Sequence, residues 1–501
     1  MKKTFAAALL LAALLLSGCT VRQTSAETPR APEPEKTIAV DTASETPAPL
    51  VSHVVRWYDG DTLLREETLP EGALPAAYTP EGTAPFLGWT DGSGTAVVPE
   101  STAVTADADY YAAYGPTLRR DVTYMTAESG IFRPDDPLTR REAAMLLYAL
   151  LPEPPALPEE LPAEAQLPAP DAALDNTGVN GPTKNWEAAN HPTAETDPRR
   201  ETLRPLSALI AAGILPAGAE EDPLCSEQGV ESETLLSALR PYFREGALEG
   251  AALSPVPTRL ETARLLNTLL EREAAAEYAF ADLEAGSEAA AAASAACGET
   301  AVGSGMTLLS CGKLYYIENG AVLRDGDLGT LHFGADGAYT SGSEKLDELC
   351  RDAIIRRVNL NDSHERQLRS VYTYVRDRFA YLRRNYYDTG AHGWELEEAE
   401  TMLSSHYGNC YSYAAAFWAL ARAVGYDARC ISGTQGEHYA PHGWVWMDME
   451  DGVRCFYDVE AEFAALRDGY NLNPMFRMTL GVQTNQWLYV FDWAGEGFNA
   501  G

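Results

Sequence analysis

Basic residues are scarce in this chain. Lysine and arginine number 38 against 73 aspartates and glutamates, a formal charge of −35. A surface of that sign repels phosphate backbones, which argues against nucleic acid as a partner. Cysteine is scarce too, at eight in 501 residues, and no two cysteines form a CxxC pair. The eight histidines show no HxH or HExxH spacing. No short metal-binding motif is therefore present, and no metal or organic cofactor is called for. After the first nineteen residues no apolar run reaches the roughly 20 residues that cross a bilayer. The chain is too long for one compact core and suits about three domains.

What the chain does have begins with MKKTFAAALLLAALLLSGC. Two lysines precede a short apolar core, the pattern of an export signal. Leu16-Ser17-Gly18-Cys19 resembles the lipobox of bacterial lipoproteins, so residues 1–19 are expected to be a lipoprotein signal peptide. The resemblance implies a lipid on Cys19 and a protein held outside the cytoplasm on the cell membrane, at the cell surface. Disulfides are permitted there. Cys430 and Cys455, on neighbouring predicted strands, either pair or stay free, since pairing needs Cα atoms within about 7 Å. Residues 20–50, rich in Pro, Ala, Thr and Glu, read as a disordered tether.

Residues 51–115 alternate short β-type runs with Gly, Asp and Pro turns. The string WYDGDTLLREETLPEGALP, with FLGWTDGSG and VTADADYYAAY, resembles the Listeria–Bacteroides repeat of bacterial surface proteins. That implies a small β-grasp-like module with Trp57, Trp89 and Tyr110 in its core. Residues 116–280 are helical in pattern and interrupted by a Pro/Glu-rich insertion, LPEPPALPEELPAEAQLPAPD. In GIFRPDDPLTRREAAMLLYALL, Thr139 is an N-cap candidate with Glu142 three residues on. Phe132, Pro134, Leu138, Thr139, Arg140 and Glu142 resemble the signature of S-layer homology repeats. A second copy, GVESETLLSALRPYF, lacks the Thr-Arg pair, and a third restores it as Thr258, Arg259 and Glu261. The resemblance implies a helical pseudo-trimer in which Thr139, Arg140, Glu142, Thr258, Arg259 and Glu261 contact a cell-wall polymer; a helical spacer without that ligand is the other reading. Residues 281–343 are expected to be an Ala-rich linker followed by a β-hairpin annex, its NG, DG and GADG turns marking hairpins. Tyr315 and Tyr316 there either pack or meet glycans.

Residues 344–501 carry the chemistry. Two amphipathic helical patterns lead to GNCYSYAAAF, in which Asn409 and Cys410 start a helix that runs to about Val424 and is closed by Gly425. A helix N-terminus offers partial positive charge and free N–H groups, both of which favour a thiolate nucleophile. The N–H of Cys410 is also placed to hold an oxyanion. Downstream, HGWVWMDM puts His442, Trp444 and Trp446 on one strand face. A turn at Asp451–Gly452 then returns the chain so that Asp458 comes close to His442. Cys410 as nucleophile, His442 as base and Asp458 as its orienter make a catalytic set. His438 is the alternative base and Asp448 the alternative acid; His442 is preferred because it leads directly into the strand. Trp394 and Tyr387 are candidates for the second oxyanion donor, and Tyr407, Tyr411 and Tyr413 either shape the acyl pocket or pack.

The motifs GNCYSYAAAFWALARAVGYDARCISG, HGWVWMD and FYDVE together resemble the transglutaminase-like superfamily. The resemblance implies an α+β papain-like core and assigns the same three roles to Cys410, His442 and Asp458. The expectation is a lipid-anchored multidomain cysteine acyl-transfer enzyme that hydrolyses peptide or amide bonds of a protein or peptide substrate in the cell envelope. A cross-linking transglutaminase and a non-catalytic wall-binding or adhesion protein are the alternatives.

Overall fold

The computed structural model describes residues 51–82, 84–161, 198–218, 224, 226–469, 475–479 and 488–496. Cys19, the signal segment, the tether, Cys225 and residues 162–171 of the Pro/Glu-rich insertion lie outside them. Among the described residues no helix is long and apolar enough to cross a membrane.

Strands β1 (Ser52–Asp59), β2 (Thr62–Pro70), β3 (Phe86–Thr90), β4 (Ala96–Val97) and β5 (Ala108–Tyr114) form one sheet in the order β2-β1-β5-β3-β4. β1 and β5 run parallel. Trp57, Trp89 and Tyr110 are buried with Val55 and Val104 and make up its core. A module this small gets most of its buried apolar area from such rings.

Helices α1 (Arg140–Leu150), α2 (Pro198–Ala211), α3 (Ser232–Leu239), α4 (Arg259–Leu269) and α5 (Glu288–Cys297) share a second core. Extended segments lead into α1, α3 and α4 and bond to one another. Leu138 N donates to Pro257 O, Val230 N to Leu138 O and Ser232 N to Pro255 O, each at 2.8 Å. Gly229 sits where a Cβ would come within 2.5 Å of Val256 Cγ1, so the three segments close up only around glycine. Capping boxes start α1 (Thr139 with Glu142) and α4 (Thr258 with Glu261), while α3, which lacks the Thr-Arg pair, has Glu231 at its N-cap without a side-chain bond.

The arginines of the motif also turn inward. Arg259, 2 % exposed, donates to Phe132 O at 2.7 Å, Thr126 O at 2.6 Å and Glu142 Oε1 at 2.6 Å. Arg140 donates to the carbonyls of Leu224 and Pro216. Wall-polymer contact through Arg140 and Arg259 would require these bonds to be given up. Arg133 also pairs with Glu142. Burial alone would raise the Glu142 carboxyl, but Arg259 and Arg133 outweigh it and hold the group well below the usual carboxylate range. A depressed folded-state value stabilises the fold fully above the ordinary carboxylate range, and that stabilisation is lost as pH falls. Glu142→Ala takes the shared carboxylate from two buried guanidiniums, leaving Arg259 with backbone carbonyls and Arg133 with Asp136, and is expected to cost about 3 kcal/mol in urea unfolding at pH 7. Its deficit relative to the native protein should narrow in acid.

The Ala-rich stretch expected to be a linker is instead helix α5. Its N-cap Ser287 accepts from Ala290 N at 3.1 Å, and Ala290, Ala293 and Ala296 join the helical core. Alanine is the strongest helix former, and its small side chain permits close packing. Two three-stranded sheets follow: β6 (Gly305–Leu308), β7 (Leu314–Glu318) and β8 (Ala321–Val322), then β9 (Gly326–Leu328), β10 (Leu331–Phe333) and β11 (Tyr339–Thr340). Tyr315 is buried and Tyr316 lies against Phe333, so Tyr315 packs rather than offering a glycan platform.

The last region contains α6 (Glu344–Arg357), α7 (His364–Arg378), β12 (Ala380–Tyr381), α8 (Glu395–Ser405), β13 (Tyr407–Gly408), α9 (Cys410–Ala423), β14 (Arg429–Gln435), β15 (Ala440–Asp448), β16 (Arg454–Tyr457), α10 (Val459–Arg467) and β17 (Met478–Thr479). β14 to β17 form an antiparallel sheet in sequence order. Of α9 only Trp418 escapes full burial, the signature of a helix enclosed on all sides. Helices surround it, and β15 packs along it. Val445, Met447 and Tyr457 face this core, whereas Trp444, Trp446 and Phe456 face a second one with Tyr489 and Phe491. Cys430 on β14 and Cys455 on β16 are free and have β15 between them, so the strands are not neighbours and the thiols cannot be bridged.

Candidate active site

The start of α9 is shaped by three consecutive residues. Gly408 leaves no room for a side chain, since a Cβ there would come within 2.2 Å of Ser412 Cβ. Asn409 caps the helix: its Oδ1 accepts from Ser412 N at 3.3 Å, and its own N–H donates back to Ser412 Oγ at 3.2 Å. Asn409 Nδ2 donates to Asn385 O at 2.7 Å, which ties the cap to the preceding loop. Cys410 is the first helical residue and 4 % exposed. The box takes the N–H of Ser412, and among the described residues no hydrogen bond takes that of Cys410.

His442 lies on β15 opposite Gly433 and is 5 % exposed. Its Nε2 is 2.7 Å from Asp458 Oδ2. Cys410 Sγ lies 3.9 Å from the carbonyl oxygen of Pro441, the residue before His442 on β15, which brings the thiol to the imidazole's side of the strand. Burial opposes the charged imidazole, but Asp458 and Cys410 outweigh it and hold His442 well above its ordinary range. The arrangement favours an imidazolium beside the sulfur.

Asp458, 1 % exposed, is fixed on every side. The ladder pairs Val445 with Tyr457, so Asp458 stands beside Trp444 and reaches His442 along the diagonal rather than from directly opposite. Its Oδ1 accepts from Ala461 N at 3.0 Å and so caps α10. Its N–H donates to Met475 O at 3.1 Å, and its carbonyl accepts from Tyr372 Oη at 3.1 Å. A further donor, Tyr489 Oη, shares Oδ2 with His442.

A cleft of about 420 Å³ opens onto Cys410 and His442. Its other lining residues are Tyr381, Arg383 and Tyr386 from the chain before α8, Ala440 and Pro441 from β15, and Glu460 and Arg467 from α10. Burial pushes the Glu460 carboxyl up, partly offset by His442. No group of three or more His, Cys, Asp or Glu side chains among the described residues could hold a metal ion.

The remaining sequence candidates are placed elsewhere. His438 is exposed in the turn between β14 and β15, and Asp448 pairs with Arg454 at 2.7 Å. Trp394 and Tyr387 do not reach the cleft as oxyanion donors. They stack on each other and box in the ring of Tyr411, with Trp394 Nε1 bound to Ala391 O and Tyr387 Oη to Glu398. Tyr411 and Tyr413 are buried with their hydroxyls on backbone carbonyls, and Tyr407 is 53 % exposed outside the cleft lining. The cleft presents Tyr381 and Tyr386 instead, and neither carries a periodic or capping signal in the sequence. Gly443, next to His442, faces the Tyr411 backbone; a Cβ there would lie 3.1 Å from Tyr411 Cα and 2.6 Å from its ring. Gly443→Ala is expected to lower stability by about 1–3 kcal/mol and to slow Cys410 chemistry, since it forces β15 away from α9; melting and thiol labelling check both.

The transglutaminase-like superfamily model matches residues 352–459, a span that takes in Cys410, His442 and Asp458. No curated protein matches the chain.

Proposed function

We propose that the transglutaminase-like domain is a cysteine acyl-transfer enzyme with Cys410 as nucleophile, His442 as base and acid, and Asp458 as the residue that orients His442. The observation that carries this reading is the buried 2.7 Å bond from His442 to Asp458, on an imidazole that lines one cleft with a thiol at a helix start. Sγ attacks a carboxamide or peptide carbonyl, the C–S bond forms, and the N–H of Cys410 faces the developing oxyanion. His442 gives its proton to the leaving nitrogen as the C–N bond breaks. Water, deprotonated by His442, then releases the acid and frees the thiolate.

Hydrolysis is the proposed outcome, acting on a protein or peptide substrate outside the cytoplasm, with the chain anchored by a lipid on Cys19. The short apolar segment ending in Ser17-Gly18-Cys19 supports that location. Incubating the full chain with a glutamine peptide, with and without a primary amine, tests the assignment. Acid and ammonia in both reactions are expected. Amide product in preference to acid would make it a cross-linking enzyme, and no product from a panel of peptides would overturn the reading. Retention of the chain on purified cell walls would add the wall-binding role expected of the helical repeats.

A further inference from the structure

Asp458 Oδ2 accepts two hydrogen bonds, and the second donor comes from a segment remote in sequence. Residues 488–492 lie across the edge of β14. Thr434 N donates to Val490 O and Val490 N to Thr434 O, both at 2.9 Å. Gly433, the residue paired with His442, makes room for this segment, because a Cβ there would come within 2.4 Å of Val490 O. The strap therefore crosses the sheet at the level of the histidine. Its Tyr489 ring packs on Trp444 with centroids 4.8 Å apart and lies 6.3 Å from His442. Gln435 Nε2 donates to Tyr489 Oη at 3.2 Å, so the phenolic proton is free to point at Asp458.

We infer that Tyr489 is a positioning residue of the active site, a fourth member that donates to Asp458 Oδ2 and so sets both the orientation of His442 and how tightly it holds its proton. The inference rests on the acyl-transfer reading of Cys410 and His442. Burial keeps Tyr489 protonated across the working range, so toward Asp458 it acts as a donor. A carboxylate that accepts two bonds is a weaker partner for the imidazolium than one that accepts a single bond. Without the phenol, Asp458 pulls harder on His442, which keeps its proton to higher pH but is less well aimed. The other titratable or charged groups around the pair are Cys410 and Tyr411 from α9, Glu460 and Arg467 from α10, Tyr381, Arg383 and Tyr386 across the cleft, and Tyr372 from α7 at the Asp458 carbonyl, with Glu462 and Arg376 behind it. None of them changes in Tyr489→Phe.

The test is the pH profile of Cys410 alkylation by iodoacetamide in the full chain, native and Tyr489→Phe, with the histidine Nε2–H proton resonance of ¹⁵N-labelled protein as a second readout. The ion-pair limb for Tyr489→Phe should move up by roughly one pH unit, and the resonance should shift, while the melting temperature changes little. Tyr489→Leu, which also removes the ring from Trp444, should show the same limb shift together with a lower melting temperature. An unmoved limb and resonance in Tyr489→Phe overturn the inference and leave the acyl-transfer reading standing. A native profile like that of an ordinary thiol overturns both.

Discussion

Cys410→Ala is expected to abolish acyl transfer, by at least about a thousandfold in turnover, with the fold intact. The size of the effect follows from chemistry, because among the described residues no other thiol lines the cleft with the imidazole. Cys430 and Cys350 are buried thiols whose pKa burial pushes up, which makes them inert. The intact fold follows from the local structure. The cap of α9 is made by Asn409 and Ser412, and both bonds survive the substitution. Only one sulfur leaves a site that already opens onto the cleft, so a stability change within about 1–2 kcal/mol is expected. Turnover on a glutamine peptide and a thermal melt on the same preparation check the two halves together.

Asp458→Asn separates two roles carried by one side chain. Oδ1 caps α10, and asparagine caps as well as aspartate, so helix and melting temperature should be nearly preserved. Oδ2 meets two donors, His442 Nε2 and Tyr489 Oη. An amide must either turn its NH₂ against one of them or drive the imidazole into the other tautomer. Loss of turnover by about 10⁴ is expected. The charge that holds His442 protonated also disappears, so the alkaline limb of the alkylation profile should move down, opposite in sign to Tyr489→Phe. Asp458→Ala should show the same catalytic loss and in addition about 1 kcal/mol for the missing cap.

Local features were legible in the chain. Thr139 with Glu142 is a capping box, Cys410 does begin a helix that ends by the positive-φ Gly425, and the His442 strand does return through a turn to Asp458. These are patterns of a few residues, written in caps, periods and turns. The misreadings share a different cause. Trp394 and Tyr387 were aromatic and near the cysteine in sequence, but their rings are needed around Tyr411. The Ala-rich run looked like a linker because alanine has no pattern to show, and only its contact with the helical core reveals α5. Tyr489 meets Asp458, and Val490 meets Gly433, across long stretches of sequence, and no local period reports such meetings. The pairing of Glu142 with Arg259 is hidden for the same reason, since the two are 117 residues apart, on α1 and α4.

The most direct measurement of the central claim is intact-mass and peptide mapping of the full chain after brief exposure to p-nitrophenyl acetate near pH 7. A single acetyl on the Cys410 peptide is predicted, released by hydroxylamine as a thioester must be and absent from His442→Ala. Acetylation spread over several residues, or retained unchanged in His442→Ala, would contradict the account.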